Sequence, residues 1–370
     1  MGNSAIETAY YDLCGIAYLI RLKDNKKFSK VPVYSLARDA CLIIYQINKE
    51  IFNNEFTLHQ NIKNIRHKVK LYNKGNNRQI YENILQNSIK QFGDDVDNIG
   101  LFIENDMLVG STIFQQYLFI DTNILESNPR INQRNALEFF KYVGATAYEF
   151  SVSLEGITKS NVISFELLPT FNYSDDSDYS SKDIHHSQLY KEEESLNIII
   201  TRLLLILQET TFCLWLSHGV RFDNDDLTID IYITLRLISI KSDEVMDNLL
   251  NMKKFLKEDF DKIDQSCNQE LSNIIEHYNI ELKDECKILR NFLHYNFKGE
   301  NFLDYVIKKT KENPDYSEEI VEKINHGVMK PLSKVLSHYF EIDRMKSMSE
   351  WEKIRNRIIT LSKKAYKRKI

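Results

Sequence analysis

Chain breakers are scarce in this sequence. Eleven glycines and five prolines serve all 370 residues, so few positions suit the tight corners that sandwiches and barrels need at short intervals. Long unbroken segments must satisfy their own backbone hydrogen bonds, and the α-helix does that over any length. Apolar residues make up 43% and charged residues 27%, a balance that supplies enough apolar mass for a buried core. The chain reads as mainly α.

Apolar spacing places the helices. Val33, Leu36, Ala37, Ala40, Leu42, Ile43, Tyr45, Ile47 and Ile51 form a helical stripe over 33–52. Further helices are expected over 56–73, 77–92 and 131–150. Minor β structure is expected over 101–109, with Glu104-Asn105-Asp106 as a hairpin turn, and over 150–168 around Glu155-Gly156. The run from Phe171 to Ser181 is polar, acidic and Ser-rich, and Glu192-Glu193-Glu194 follows it. Such composition cannot bury enough apolar surface to order itself, which predicts a linker over 172–190. It would separate a mostly helical N-terminal domain (1–171) from a C-terminal helical bundle (191–370). Within the bundle, helices are expected over 192–217, 229–264 with a break, 266–280, 283–296, 316–341 and 348–368. Gly219 suits the left-handed end of the first, and Asp225 or Asp226 could cap the second.

Several chemistries lack their residues. Cys14, Cys41, Cys213, Cys267 and Cys286 are odd in number and widely spaced, with no zinc-ligand pattern and no disulfide framework. Phosphate-binding glycine loops, a Gly-x-Ser-x-Gly elbow and a His-Glu-x-x-His helix are absent, and no cofactor is expected. Asp223, Asp225, Asp226 and Asp230 could in principle hold a cation, but no Lys-bearing nuclease pattern follows, and an acidic helix start explains the cluster without metal. The most apolar stretch, Leu196 to Leu216, carries Arg202, Gln208 and Glu209 and reads as a core helix, not a membrane span. The opening residues show no secretory pattern, so a cytoplasmic location is expected.

The stretch Arg290-Asn291-Phe292-Leu293-His294-Tyr295 carries the clearest chemical signal. In a helix, residues four apart share a face. A guanidinium can grip a phosphate with two parallel hydrogen bonds, and an imidazole moves protons near neutral pH. Together they suit RNA cleavage without a metal. The plain structural alternative is a surface Arg and a half-buried His. His277-Tyr278 and His338-Tyr339 repeat the His-Tyr pair without the Arg-Asn and read as half-buried bundle residues.

This segment resembles the Arg-Asn-containing catalytic motif of HEPN domains, all-helical modules common in bacterial defence and toxin–antitoxin systems. The close resemblance covers about ten residues, and three residues separate Arg290 from His294 where the family usually has four to six. The resemblance implies that Arg290 contacts the scissile phosphate, Asn291 orients the pair and His294 is the general acid/base. It also implies a site formed at a homodimer interface, RNA as substrate, and an antitoxin or defence-system protein as a further partner. A catalytically inactive helical module that binds protein or RNA remains the alternative.

Net charge is −5, unevenly spread. Residues 352–370 carry eight Lys and Arg against Glu352, a local net of +7 on a body of −12. Lys363, Lys364, Lys367 and Arg368 are the candidate RNA-binding residues, although basic residues also settle at helix C-termini for the macrodipole alone.

Overall fold

The computed structural model describes residues 3–22, 32–72, 77–120, 122–125, 129–157, 163, 179–191, 193–218, 220, 227–295, 299–348 and 351–367. In chain order the elements are α1 (Asn3–Leu22), α2 (Val33–Glu50), α3 (Gln60–Tyr72), α4 (Asn77–Phe92), β1 (Ile99–Glu104), β2 (Met107–Ser111), α5 (Thr112–Phe119), α6 (Pro129–Glu155), β3 (Tyr179–Ile184) and α7 (His186–Leu189). There follow α8 (Glu194–His218), α9 (Ile229–Phe255), α10 (Lys257–Ser266), α11 (Glu270–Glu281), α12 (Lys283–Asn291), α13 (Phe302–Glu312), α14 (Tyr316–Ile324), a π-helical turn (Asn325–Met329), α15 (Lys330–Phe340) and α16 (Trp351–Lys367). The protein is mainly α with one small sheet.

The sheet has the order β2-β1-β3, all antiparallel. Asn105 and Asp106 both take positive φ, at 47° and 62°, the backbone of a two-residue hairpin turn that short polar side chains tolerate. The expected hairpin at Glu104-Asn105-Asp106 is therefore present. Where a strand is expected over 150–168, residues 150–155 are the end of α6 instead; 158–162 and 164–168 lie outside the described residues. The apolar side chains Val143, Ala147, Phe150 and Leu154 of α6 recur at helical spacing and are buried.

Helices α8 and α9 form the centre. By length and composition α8 could cross a membrane, but 89% of its most apolar window is buried inside the fold, packed against α9, α15 and α4. It is a core helix. The break expected in the next helix falls at Leu256, between α9 and α10. Thr228, not an aspartate, precedes α9 at the N-cap position, and its hydroxyl donates to Asp230; Gly219, Asp223, Asp225 and Asp226 lie outside the described residues.

The expected boundary at 172–190 does not divide the core. Residues 172–178 lie outside the described residues, but 179–184 form β3 on the edge of β1 and 186–189 form α7. A Ser-rich strand with exposed faces is held here by its ladder to β1, a partner far away in sequence. His185 and His186, in the same stretch, serve structure: His185 caps α7 through Ser187 N–H, and His186 lies 3.0 Å from the Asn98 amide. Helix α1 packs on α6 but also on α9 and α13. Gly15 permits the α1–α9 approach, since a Cβ there would sit 2.7 Å from Ile233. Thr8 donates to Asn301 at 2.7 Å and Ser4 to Asp304 at 2.6 Å. N- and C-terminal segments thus share one core.

One cluster of five charged side chains lies inside that core. Arg38 and Asp39 on α2 meet Glu209 on α8 and Lys241 and Glu244 on α9, and each is less than a tenth exposed. Arg38 reaches Glu209 at 2.6 Å and contacts Glu244; Lys241 reaches Asp39 at 2.9 Å and contacts Glu209. Two cations and three carboxylates pair there, as buried charge requires, although Arg38 Nε and Asp39 Oδ2 have no hydrogen-bond partner among the described residues. Burial pushes the Asp39 carboxyl up to about 6 against the pull of Lys241 and Arg38.

Candidate functional site

The Arg-Asn motif closes α12 and does not lie within a longer helix. Helix α12 ends at Asn291, and Phe292 to Tyr295 follow as tight turns: Leu293 N–H bonds to Arg290 O and His294 N–H to Asn291 O, each at 3.0 Å. The expectation that Arg290 and His294 share one helical face is thus corrected. Tertiary partners stop the helix. Tyr295 N–H, which a continuing α-helix would give to the carbonyl four residues back, donates to Glu50 Oε2 at 3.1 Å. The Phe292 carbonyl accepts from Arg236 Nη2 at 3.1 Å.

Beneath the turn lies a buried polar network. Asp12 on α1 takes Arg236 Nη2 at 3.0 Å and Nε at 3.2 Å, Tyr232 OH at 2.8 Å and Tyr295 OH at 2.7 Å. Asp12 and Arg236 are wholly enclosed. Burial and the Asp12 charge hold both phenols well above their usual range, so Tyr232 and Tyr295 stay protonated donors. The network fixes the position of residues 292–295 from below, using α1 and α9.

Two carboxylates grip the exposed side. Glu50, the last residue of α2, straddles the turn: Oε2 accepts from Tyr295 N–H while Oε1 lies 3.0 Å from His294 Nδ1. A carboxylate on Nδ1 sets the tautomer and ring orientation and leaves Nε2 for proton exchange. The imidazole is 54% exposed. Arg290 is anchored differently. Its Nε lies 3.5 Å from Asp243 on α9, a charge contact without an aligned hydrogen bond, and Nη1 reaches Asn291 Oδ1 at 3.4 Å. Burial, then the neighbouring Asp247, hold the Asp243 carboxyl above its ordinary range despite Arg290. Tyr278 from α11 donates to the same carboxylate at 3.4 Å.

Arg290, Asn291 and His294 are therefore brought to one solvent-facing turn, with the Asn291 side chain on Arg290 and not on His294. Glu50, Asp243, Asp12 and Arg236 are the partners that sequence reading missed. No local signal marks them: Glu50 lies 244 residues from His294 along the chain. Lys363 is exposed on α16, a helix that packs on α4, whereas the motif is attached to α2 and α9. Lys364 and Lys367 also fall on α16, their side chains outside the described residues, as is all of Arg368. His277 and His338 are exposed, not half-buried, because their Tyr neighbours turn inward instead. No family model, curated protein or solved structure matches this chain.

Proposed function

We propose that the protein is a metal-independent endoribonuclease of the HEPN kind, acting in the cytoplasm as a bacterial defence or toxin component. The observation that carries this reading is the Glu50–His294 contact at 3.0 Å beside an exposed Arg290. A carboxylate-oriented imidazole is the arrangement a general acid/base needs. Arg290 would leave Asp243 for the scissile phosphate, where its planar fork neutralises the non-bridging oxygens. The ribose 2′-hydroxyl attacks the adjacent phosphorus as His294 removes its proton. The bond to the 5′-oxygen breaks and that oxygen is protonated, leaving a 2′,3′-cyclic phosphate and a 5′-hydroxyl.

One imidazole cannot both accept and donate at the same instant, so a twofold homodimer that pairs two copies of the turn completes the site. Exposed Ile288 on α12 and Ile280 on α11 supply apolar surface for that contact. An antitoxin or defence-system protein would act on the same face. The alternative, an inactive module that binds protein or RNA, draws support from the Asp243 carboxylate already facing Arg290.

One experiment separates the two. Purified protein is incubated with total RNA in EDTA, beside His294→Ala and Arg290→Lys. The nuclease reading expects cyclic-phosphate ends from the wild type and a loss of about 10²–10⁴ in rate in His294→Ala. Arg290→Lys should fail as well, since an ammonium cannot supply the fork. RNA left intact by the wild type, or cut equally fast by His294→Ala, transfers the protein to the binding reading.

A further inference from the structure

Helix α6 turns an apolar stripe to solvent on the side away from the core. Tyr148 is 63% exposed, Val152 48% and Leu137 42%, and their spacing puts them on one face. Apolar residues scattered singly over a surface are ordinary, but a run along one helix face marks a contact site. The stripe forms one wall of a groove of about 620 Å³, and α1 forms the other. The two helices run antiparallel: Gly144 meets Ile20, Ser151 is hydrogen-bonded to Cys14, and Glu155 lies beside Tyr10.

The groove carries opposite charge at its two ends. Arg21 and Lys141 lie at one end and Glu155 at the other, and neither cation has a carboxylate partner among the described residues. Lys141 lies seven residues before Tyr148 and Glu155 seven after it. Seven residues make about two turns, so all three share the outer face and span about 21 Å. A twofold axis through Tyr148 therefore sets Lys141 against Glu155 of the partner subunit, and Glu155 against the partner's Lys141. The same axis sets Val152 opposite Gly144, four residues to either side of Tyr148, where Gly144 and Ala17 leave room in the groove. Such self-complementarity is what a twofold contact requires. A parallel copy would set Lys141 against its own equivalent, and an uncharged apolar ligand would leave both charged ends unused.

We propose that the α1–α6 groove binds a second copy of this chain, with α6 packed antiparallel on its twofold equivalent and Tyr148 at the axis. Antiparallel helices that cross at about 20° stay in contact over such a length. One helix pair is a small surface, so the dimer is reversible, with a dissociation constant of about micromolar order. The contact lies on a different helix from the Arg290 turn, which closes α12 against α9, and it does not rest on RNA cleavage. A chain that uses both contacts assembles beyond a dimer.

Sedimentation of the full-length chain between about 1 and 100 µM tests it, and the wild type should associate in that range. Lys141→Glu and Glu155→Lys alter exposed side chains, and each sets like charges together twice in every dimer. Each should raise the dissociation constant about tenfold or more. Mixed one to one, the two variants should regain the wild-type association, because the mixed pair has opposite charges at both ends. Tyr148→Cys should form a disulfide-linked dimer with oxidised glutathione that the wild type does not, since position 148 meets itself at the axis. Ile288→Asp, on the face invoked for RNA cleavage, should leave the α6 contact in place. A chain that stays monomeric at about 100 µM overturns the proposal. So does association that neither charge reversal weakens, that mixing does not restore, or that Ile288→Asp abolishes entirely.

Discussion

Helix α9 carries two sets of charges that use the same residue types for opposite ends. On its buried side, Arg236 is enclosed with Asp12, and Lys241 with Asp39 and Glu209, every partner less than a tenth exposed. On its outer side Asp243 faces Arg290, a guanidinium that is 37% exposed, across 3.5 Å. Buried pairs are locked, because separating them leaves an uncompensated charge in low dielectric. The outer pair is screened on the Arg290 side alone, since Asp243 is itself buried and keeps the Tyr278 hydroxyl as a donor when the guanidinium leaves. The Asp12–Arg236 part of the enclosed set holds the turn that bears Arg290 and His294, and under the proposed function Arg290 would exchange the Asp243 carboxylate for a phosphate. The contrast separates scaffold from site within one helix.

The sharpest way to break this comparison is Asp12→Ala. It strands the Arg236 charge and removes the acceptor of Tyr232 and Tyr295, so a loss of about 3–5 kcal/mol is expected in urea unfolding. A loss below about 1 kcal/mol would mean that the enclosed network does not hold the turn.

Next in size is the pH response of the inner cluster. Asp39 has a folded pKa of about 6 against an unfolded value of about 3.9. The folded state holds this proton more tightly. Its stabilising contribution is therefore complete below about pH 4 and is lost as the pH rises through about 6. The size is of order 3 kcal/mol. Urea midpoints at pH 4 and pH 7 measure it, and Asp39→Asn should flatten the difference. An unchanged slope in Asp39→Asn would assign the titration elsewhere.

Glu50 bridges the two sets, since it holds backbone and imidazole together. Glu50→Ala should cost roughly 1–2 kcal/mol, for one charge-assisted bond to Tyr295 N–H at a partly exposed site. If RNA is cut, it should also slow cleavage without moving KM, as expected for a positioning residue. Smallest are the exposed side chains themselves: His294→Ala and Arg290→Ala should each change stability by less than about 0.5 kcal/mol. A large loss from either would place that residue with the scaffold.

Helix positions were legible wherever the apolar period ran unbroken. The stripe over 33–52 is α2, 77–92 is α4, and the Asn105-Asp106 turn lies where polar residues interrupt two apolar runs. Legibility failed where a remote partner decides the backbone. The Ser-rich 179–184 stretch is a strand because β1 pairs with it, and α12 stops at Asn291 because Glu50 and Arg236 take the next turn's hydrogen-bonding groups. Helix α1 also went unread: its stripe includes Thr8, Asp12 and Gly15, which face partners in α9 and α13 and the segment before it.

For the site, the sequence by itself determined which groups reach the surface turn: Arg290, Asn291 and His294 are adjacent, and adjacency alone keeps them within a few ångströms of backbone. What those groups can do was decided by tertiary structure. The carboxylate on His294 Nδ1 comes from α2, that on Arg290 from α9, and the anchor beneath them from α1. Charge, tautomer and orientation depend on distance through space, and a chain that joins residues 12, 50, 243 and 294 at one turn carries no local pattern that announces the meeting.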